Sequence, residues 1–322
     1  LTEGGRDIGF GHITRCFSLY QAFLNKGITT DIIIKGDNSV ENILKGVPYR
    51  IFNWLKERKK IFSLVHGVDI ALIDSYLADS SFYKGISDII EIPVYIDDNK
   101  RLAYPRGVVV NGSIYAKNLN YPMKEENIYL LGNEYVPLRK EFWSVPKKTI
   151  RKKVKSVMVT FGGEDAKNMT PWVLKLLIEI APDLNKIVII GGGFRNIKNI
   201  EAIKDNRIKR IYFPCAETIK NIMLGVDIAI SACGQTLNEL ARVGVPTIAV
   251  AVAKNQHNSV KGWQESGFIE YAGSWKDGSL VSNLVKNLDV FSSYEVRVQR
   301  KKIGSSLIDG KGAERITNLL FN

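Results

Sequence analysis

Short apolar runs alternate with helical patterns along the chain, in two series, and this alternation limits the possible folds more than any other feature. In the first series, strand-like runs fall at 31–35, 70–74, 94–97 and 108–111. The spacing predicts a helix over 11–26, where Ile13, Phe17, Leu19, Tyr20, Phe23 and Leu24 recur near the helical period. The chain then turns polar over 145–156, with Pro146 leading a lysine-rich run. Beyond it, strand-like runs return at 157–161, 187–190, 208–213, 228–231 and 247–252, with helical patterns at 170–181, 219–224 and 237–243. Short apolar strands separated by helices imply parallel sheets covered on both faces. Two such series predict two doubly wound α/β domains, 1–145 and 146–322, with ligands at the carboxyl ends of the strands and a site in the interdomain cleft. The amphipathic set Ile316, Leu319 and Leu320 predicts a last helix over 312–320 that returns towards the first domain.

Composition narrows the class. With 322 residues, 45% hydrophobic and 24% charged, the chain can build two ordinary cores and is not a disordered sequence. No apolar run approaches the roughly 18–20 residues of a membrane span, so no integral membrane segment is expected. The opening Leu-Thr-Glu-Gly-Gly has neither the basic nor the apolar region of a signal peptide. A glycine loop begins at Gly4, leaving at most 1–3 for a first strand, so several residues are expected upstream in the natural protein. Cys16, Cys215 and Cys233 are an odd number at unrelated spacings, which argues against a disulfide framework and predicts a reducing cytoplasm. Three histidines and no paired Cys/His spacing predict no metal site, and nothing calls for a cofactor. The net charge of +12 favours anionic partners. No nucleic-acid recognition motif is present, so nucleic acid is not expected among them. The basic residues crowd only at 147–155 and 297–302, and both runs read as solvated linker or helix faces.

The chemistry-bearing residues cluster at predicted strand ends. Gly4-Gly5-Arg6-Asp7-Ile8-Gly9-Phe10-Gly11-His12 lies between the first strand and the first helix. Its glycines allow a tight turn, and the following helix N-terminus suits an anion. His12 reads equally as a general base, kept neutral by the helix dipole, or as a capping or packing residue. Asp74-Ser75-Tyr76, Asp97-Asp98 and Asn111 follow successive strands and should share one edge. In the second half, Gly162-Gly163 follows a strand as a candidate diphosphate loop, whereas Gly191–Gly193 reads first as a tight turn. Ser231-Ala232-Cys233-Gly234 opens a helix whose N-terminus can face a phosphate. Glu239 in that helix can accept from both ribose hydroxyls, and Asn255 and Gln256 follow the next strand back to the same edge. His257 reads as a surface residue.

Together these motifs resemble a known family. The Ser-Ala-x-Gly…Glu, Gly-Val-Pro and Asn-Gln pattern of the second half resembles the nucleotide-binding domain of GT-B glycosyltransferases. Gly9-Phe10-Gly11-His12, Asp74-Ser75-Tyr76, Asp97-Asp98, Asn111-Gly112-Ser113, the run from Gly132 to Arg139 and the ending Asp309-Gly310-Lys311-Gly312 look like the UDP-sugar hydrolases of pseudaminic acid biosynthesis. The resemblance implies a GT-B-like fold of two Rossmann-like domains. It also implies inverting hydrolysis of a UDP-linked diacetamido-trideoxyhexose to UDP and free sugar. By resemblance the catalytic set is His12, Tyr76 and Asn255. The substrate contacts are Gly9, Gly11, Asp74 and Asn111, then Gly162, Gly163, Ser231, Gly234, Glu239 and Gln256. Ser75 stands where some relatives carry histidine, and Glu164 where Thr or Ser is common. The alternatives are a UDP-sugar transferase with a sugar or lipid acceptor, a UDP-sugar 2-epimerase/hydrolase, and a non-catalytic nucleotide-sugar binding module.

Overall fold

The computed structural model describes residues 1–6 and 8–321, and it divides into two units, residues 1–140 with 310–322 and residues 141–309. Each unit is built on one parallel sheet. The first holds β1 (Thr2–Gly4), β2 (Ile32–Gly36), β3 (Tyr49–Ile51), β4 (Ile70–Asp74), β5 (Ile92–Ile96), β6 (Gly107–Asn111) and β7 (Asn127–Leu131), in the order 3-2-1-4-5-6-7. The second holds β8 (Ser156–Thr160), β9 (Asn185–Ile190), β10 (Ile208–Tyr212), β11 (Ile228–Ala232), β12 (Thr247–Ala251) and β13 (Ile269–Ser274), in the order 10-9-8-11-12-13. Strands such as Ser-Val-Met-Val-Thr in β8 and Ile-Ala-Ile-Ser-Ala in β11 are buried along their whole length, as parallel strands covered on both faces must be. The strand order reverses between β1 and β4 in the first unit and between β8 and β11 in the second. A doubly wound sheet opens a crevice at its reversal point, beyond the carboxyl ends of the two strands.

The helices are α1 (Gly11–Asn25), α2 (Arg58–Val65), α3 (Ser80–Ile89), α4 (Met169–Ile180), α5 (Ile197–Glu201), α6 (Ala216–Gly225), α7 (Thr236–Val243), α8 (His257–Glu265), α9 (Leu280–Val290), α10 (Tyr294–Leu307) and α11 (Gly312–Leu320). α11 packs on α1 within the first unit. The period pattern finds the central strands, whereas β3, β7 and β13 are missed. β3 has only three residues, and none of its positions is fully buried. β13 is interrupted by Glu270 and Gly273, whereas β7 carries a short apolar run at 128–131 that the reading passes over.

The two basic runs depart from their reading as solvated faces. Lys148 is 3% exposed, and its ammonium donates to the carbonyls of Met223, Leu224 and Val226 at the end of α6. Helix C-termini leave carbonyls without intrahelical partners, and a cation there meets both the hydrogen-bonding need and the dipole. Arg297 is fully buried and donates to the carbonyls of Arg151 and Lys152. Each run therefore contributes one interior side chain among exposed neighbours.

Candidate active site

In the first unit the reversal point gathers side chains from β1, α1 and the loops after β4 and β5. The loop between β1 and α1 is closed by reciprocal bonds between Gly5 and Gly9, whose φ angles of 136° and 95° favour residues without a side chain. Asp7 of this motif lies outside the described residues. Closing the loop starts α1 at Gly11, one residue before His12. Arg15 follows three residues later, so the two side chains share the buried face of the helix with Cys16 and Leu19.

That face meets the end of β4. His12 Nδ1 lies 2.6 Å from Asp74 Oδ1. Arg15 clasps the same carboxylate, Nη2 donating to Oδ1 at 2.7 Å and Nε to Oδ2 at 2.8 Å. Its remaining nitrogen, Nη1, donates to Asp98 Oδ2 at 2.9 Å. Asp98 Oδ1 accepts from the Tyr76 hydroxyl at 2.5 Å, and the Tyr76 ring packs edge-on to the His12 imidazole with centroids 4.7 Å apart. Burial would push the Asp74 carboxyl up, but Arg15 and His12 more than offset it and hold it at about 2. On the other side of the ring, Glu3 Oε1 stands 3.9 Å from His12 Nε2. Glu3 also fixes the Tyr76 loop, accepting from Ser75 Oγ and from the Tyr76 N–H.

The sequence thus marks His12, Asp74, Tyr76 and Asp98, and the structure brings them together. Arg15 and Glu3 complete the group. Arg15 carries a readable signal, an arginine one helical turn after the histidine that opens α1. Asn111 lies elsewhere. It is fully buried, with its amide nitrogen on Tyr121 Oη at 3.0 Å and its oxygen on the Ser113 N–H at 2.9 Å. Tyr121 in turn donates to Asp97, so Asn111 supports the loop that carries Asp98.

In the second unit, Gly162 and Gly163 follow β8 and Gly234 follows β11, on either side of that unit's reversal point. The two glycine loops after β8 and β9 pack together: Gly193 N donates to Gly163 O, and a side chain at Gly191 would stand 2.4 Å from that oxygen. Asp165 accepts from the Met169 and Thr170 N–H groups at 2.8 Å, so the start of α4 is already occupied by a carboxylate. α7 differs, since its start carries no side-chain cap. Gly234 precedes it with space around it, the nearest atom to a built side chain being Gln256 Nε2 at 3.9 Å. Gln256 uses its oxygen to hold the Val252 and Ala253 N–H groups. Glu239 lies in the first turn of α7 and is buried, whereas Ser231 is fully buried and bonds the adjacent carbonyl of Ala232. Asn255 and His257 are exposed. Burial pushes the Cys16 and Cys233 thiols up to about 12, so neither offers a thiolate nucleophile. Among the described residues, no group of three or more His, Cys, Asp or Glu is arranged to hold a metal ion, and no helix is long and apolar enough to cross a membrane.

No family model matches the chain. The uncharacterized protein MJ1062 of Methanocaldococcus jannaschii is 26% identical over 268 residues, covering 78% of this chain and 54% of that protein. The spore coat polysaccharide biosynthesis protein SpsG of Bacillus subtilis is 24% identical over 338 aligned positions, covering 99% of this chain and 96% of that one. A Helicobacter pylori protein named as pseudaminic acid cytidylyltransferase and UDP-2,4-diacetamido-2,4,6-trideoxy-beta-L-altropyranose hydrolase is 23% identical over 266 residues, covering 81% of this chain and 46% of that one. The chain thus spans about half the length of the first and third of these, at 54% and 46%. Among solved structures, Acinetobacter baumannii MurG superposes with a TM-score of 0.68 at 12% identity, over 99% of this chain and 98% of that one. The S. aureus MnaA–UDP co-structure gives 0.67 at 12%, over 98% and 94%. These likenesses and the two parallel-sheet units give the chain a GT-B fold.

Proposed function

We propose that the chain hydrolyses a UDP-linked diacetamido-trideoxyhexose to UDP and the free sugar, by direct attack of water on the anomeric carbon. The observation that supports this most is the buried His12–Asp74 pair at a sheet reversal point, with Tyr76 against the same ring. Asp74 orients Nδ1 and leaves Nε2 for the proton of water. The water oxygen bonds the anomeric carbon while the bond to the UDP oxygen breaks, and UDP leaves with the electron pair. The water proton passes to His12. Displacement of this kind inverts the anomeric centre. Tyr76 serves to orient sugar or water.

The nucleotide belongs, on this reading, to the second unit. The uncapped start of α7 offers N–H groups and a positive dipole end to the diphosphate, and Glu239 holds the ribose. Support for the nucleotide comes from the S. aureus neighbour, solved with UDP. Support for the sugar and for hydrolysis comes from the name of the H. pylori relative and from the motif resemblance. The test incubates the protein with a panel of UDP-sugars in ¹⁸O-water, with and without acceptors. UDP release without acceptor, with ¹⁸O in the sugar and none in UDP, is expected. Release only with an acceptor would make the chain a transferase, and tight UDP binding without any release would make it a binding module.

A further inference from the structure

We propose that Arg15 is a positioning residue that neutralises Asp74, so that this carboxylate orients His12 without locking it as an imidazolium. The inference rests on His12 acting as the base and adds the group that keeps it usable. A buried carboxylate 2.6 Å from an imidazole nitrogen favours the charged ring, and a ring that stays protonated takes no proton from water. Arg15 changes what the ring faces. Its fork holds both Asp74 oxygens, and Nη2 stands 3.1 Å from His12 Nδ1, where a cation opposes a second cation.

The remaining groups around the ring make this cation matter. From β1, Glu3 approaches Nε2 at 3.9 Å. From the loop after β5, Asp98 holds the Tyr76 hydroxyl and the third nitrogen of Arg15. From the loop after β4, Tyr76 covers the ring edge-on. From α1, Cys16 lies 4.0 Å from Asp74 Oδ2 with its thiol held neutral by burial. Three carboxylates thus crowd the site, and Arg15 binds two of them. A lysine, a single point charge, would not meet three oxygens on two carboxylates in one plane.

The test follows the His12 ring signal by NMR through a pH titration of the whole protein, assigned by its loss in His12→Asn. Arg15→Met should move the midpoint up by roughly one to three pH units, and the acid limb of turnover should move with it. Asp74→Asn keeps the shape of the site but leaves the guanidinium unopposed beside the ring, so its midpoint should fall below wild type. If Arg15→Met does not fold, Arg15→Gln, which keeps a polar group toward Asp74 without the charge, is read in its place. An unchanged or lower midpoint in Arg15→Met, or an unchanged or higher one in Asp74→Asn, overturns the proposal. A purely structural arginine would lower the melting temperature and leave the midpoint of the Arg15 variant in place. The ring signal is read on the free protein. Failure to release UDP from any sugar nucleotide would therefore overturn the preceding reading and leave the titration result to stand by itself.

Discussion

Asp74 links stability to chemistry at the scale of a single residue. Its carboxyl is held at about 2 in the fold, against an ordinary value of 3.8. A depressed carboxylate adds stability that is complete above its unfolded value and is lost as pH falls through its folded one. The window here is about pH 4 down to pH 2, and the contribution is about 2 kcal/mol. Urea unfolding at pH 6 and pH 2 should therefore show wild type losing about 2 kcal/mol more than Asp74→Asn over that interval. Equal losses would mean that Asp74 is not the ion the geometry describes. His12 gives a different outcome. On the proposed placement of the nucleotide on the second unit, His12→Asn should bind UDP as wild type does. Its turnover should drop by about 10²–10⁴, the range of a positioned general base. A variant that folds and turns over normally would leave the reaction without its base.

At the scale of elements, two helix starts flank one sheet reversal and have opposite occupants. The start of α4 is closed by Asp165, whereas the start of α7 has no side-chain cap. Asp165→Ala should cost about 0.5–2 kcal/mol, as the loss of a helix cap does, and leave UDP affinity unchanged. Gly234→Ala should do the reverse. Its new methyl group meets only Gln256 Nε2 at 3.9 Å, so stability should hold while a diphosphate against the same backbone is pushed away. Calorimetry with UDP on both variants checks the pair. Weaker binding in Asp165→Ala together with normal binding in Gly234→Ala would move the phosphates to the glycine loop after β8. The sequence alone does not separate these loops. Gly162-Gly163 and Ala232-Cys233-Gly234 both place small residues between a strand and a helix, and only the fold brings the Asp165 side chain back onto α4. Arg15 poses the same difficulty. Its helix is legible from the apolar period, but its partners at 74 and 98 are 59 and 83 residues away along the chain.

Across the whole molecule, the legible part of the fold is the repeated strand–helix unit. β2, β4, β5, β6, β8, β9, β11 and β12 announce themselves because strands buried on both faces must be largely apolar. Charge is harder to place, since a run of lysines says nothing about which one turns inward. Lys148 and Arg297 are interior because free carbonyls await them at the end of α6 and in the stretch before β8, and those acceptors are invisible in local sequence. With the nucleotide on the second unit, as proposed, its binding is separable from the base. A ligand that binds only the folded state stabilises it by mass action, about 2.7 kcal/mol at a hundred times its dissociation constant. If UDP binds the second unit, as proposed, that excess should raise the melting temperature of wild type and of His12→Asn by the same amount. Glu239→Ala removes a buried carboxylate from α7 and should lower the starting melting temperature. The test is therefore the increment with UDP, not the absolute value. That increment should shrink markedly in Glu239→Ala. If it survives there and disappears in His12→Asn, the nucleotide sits on the first unit, and the assignment of base and nucleotide to separate units fails.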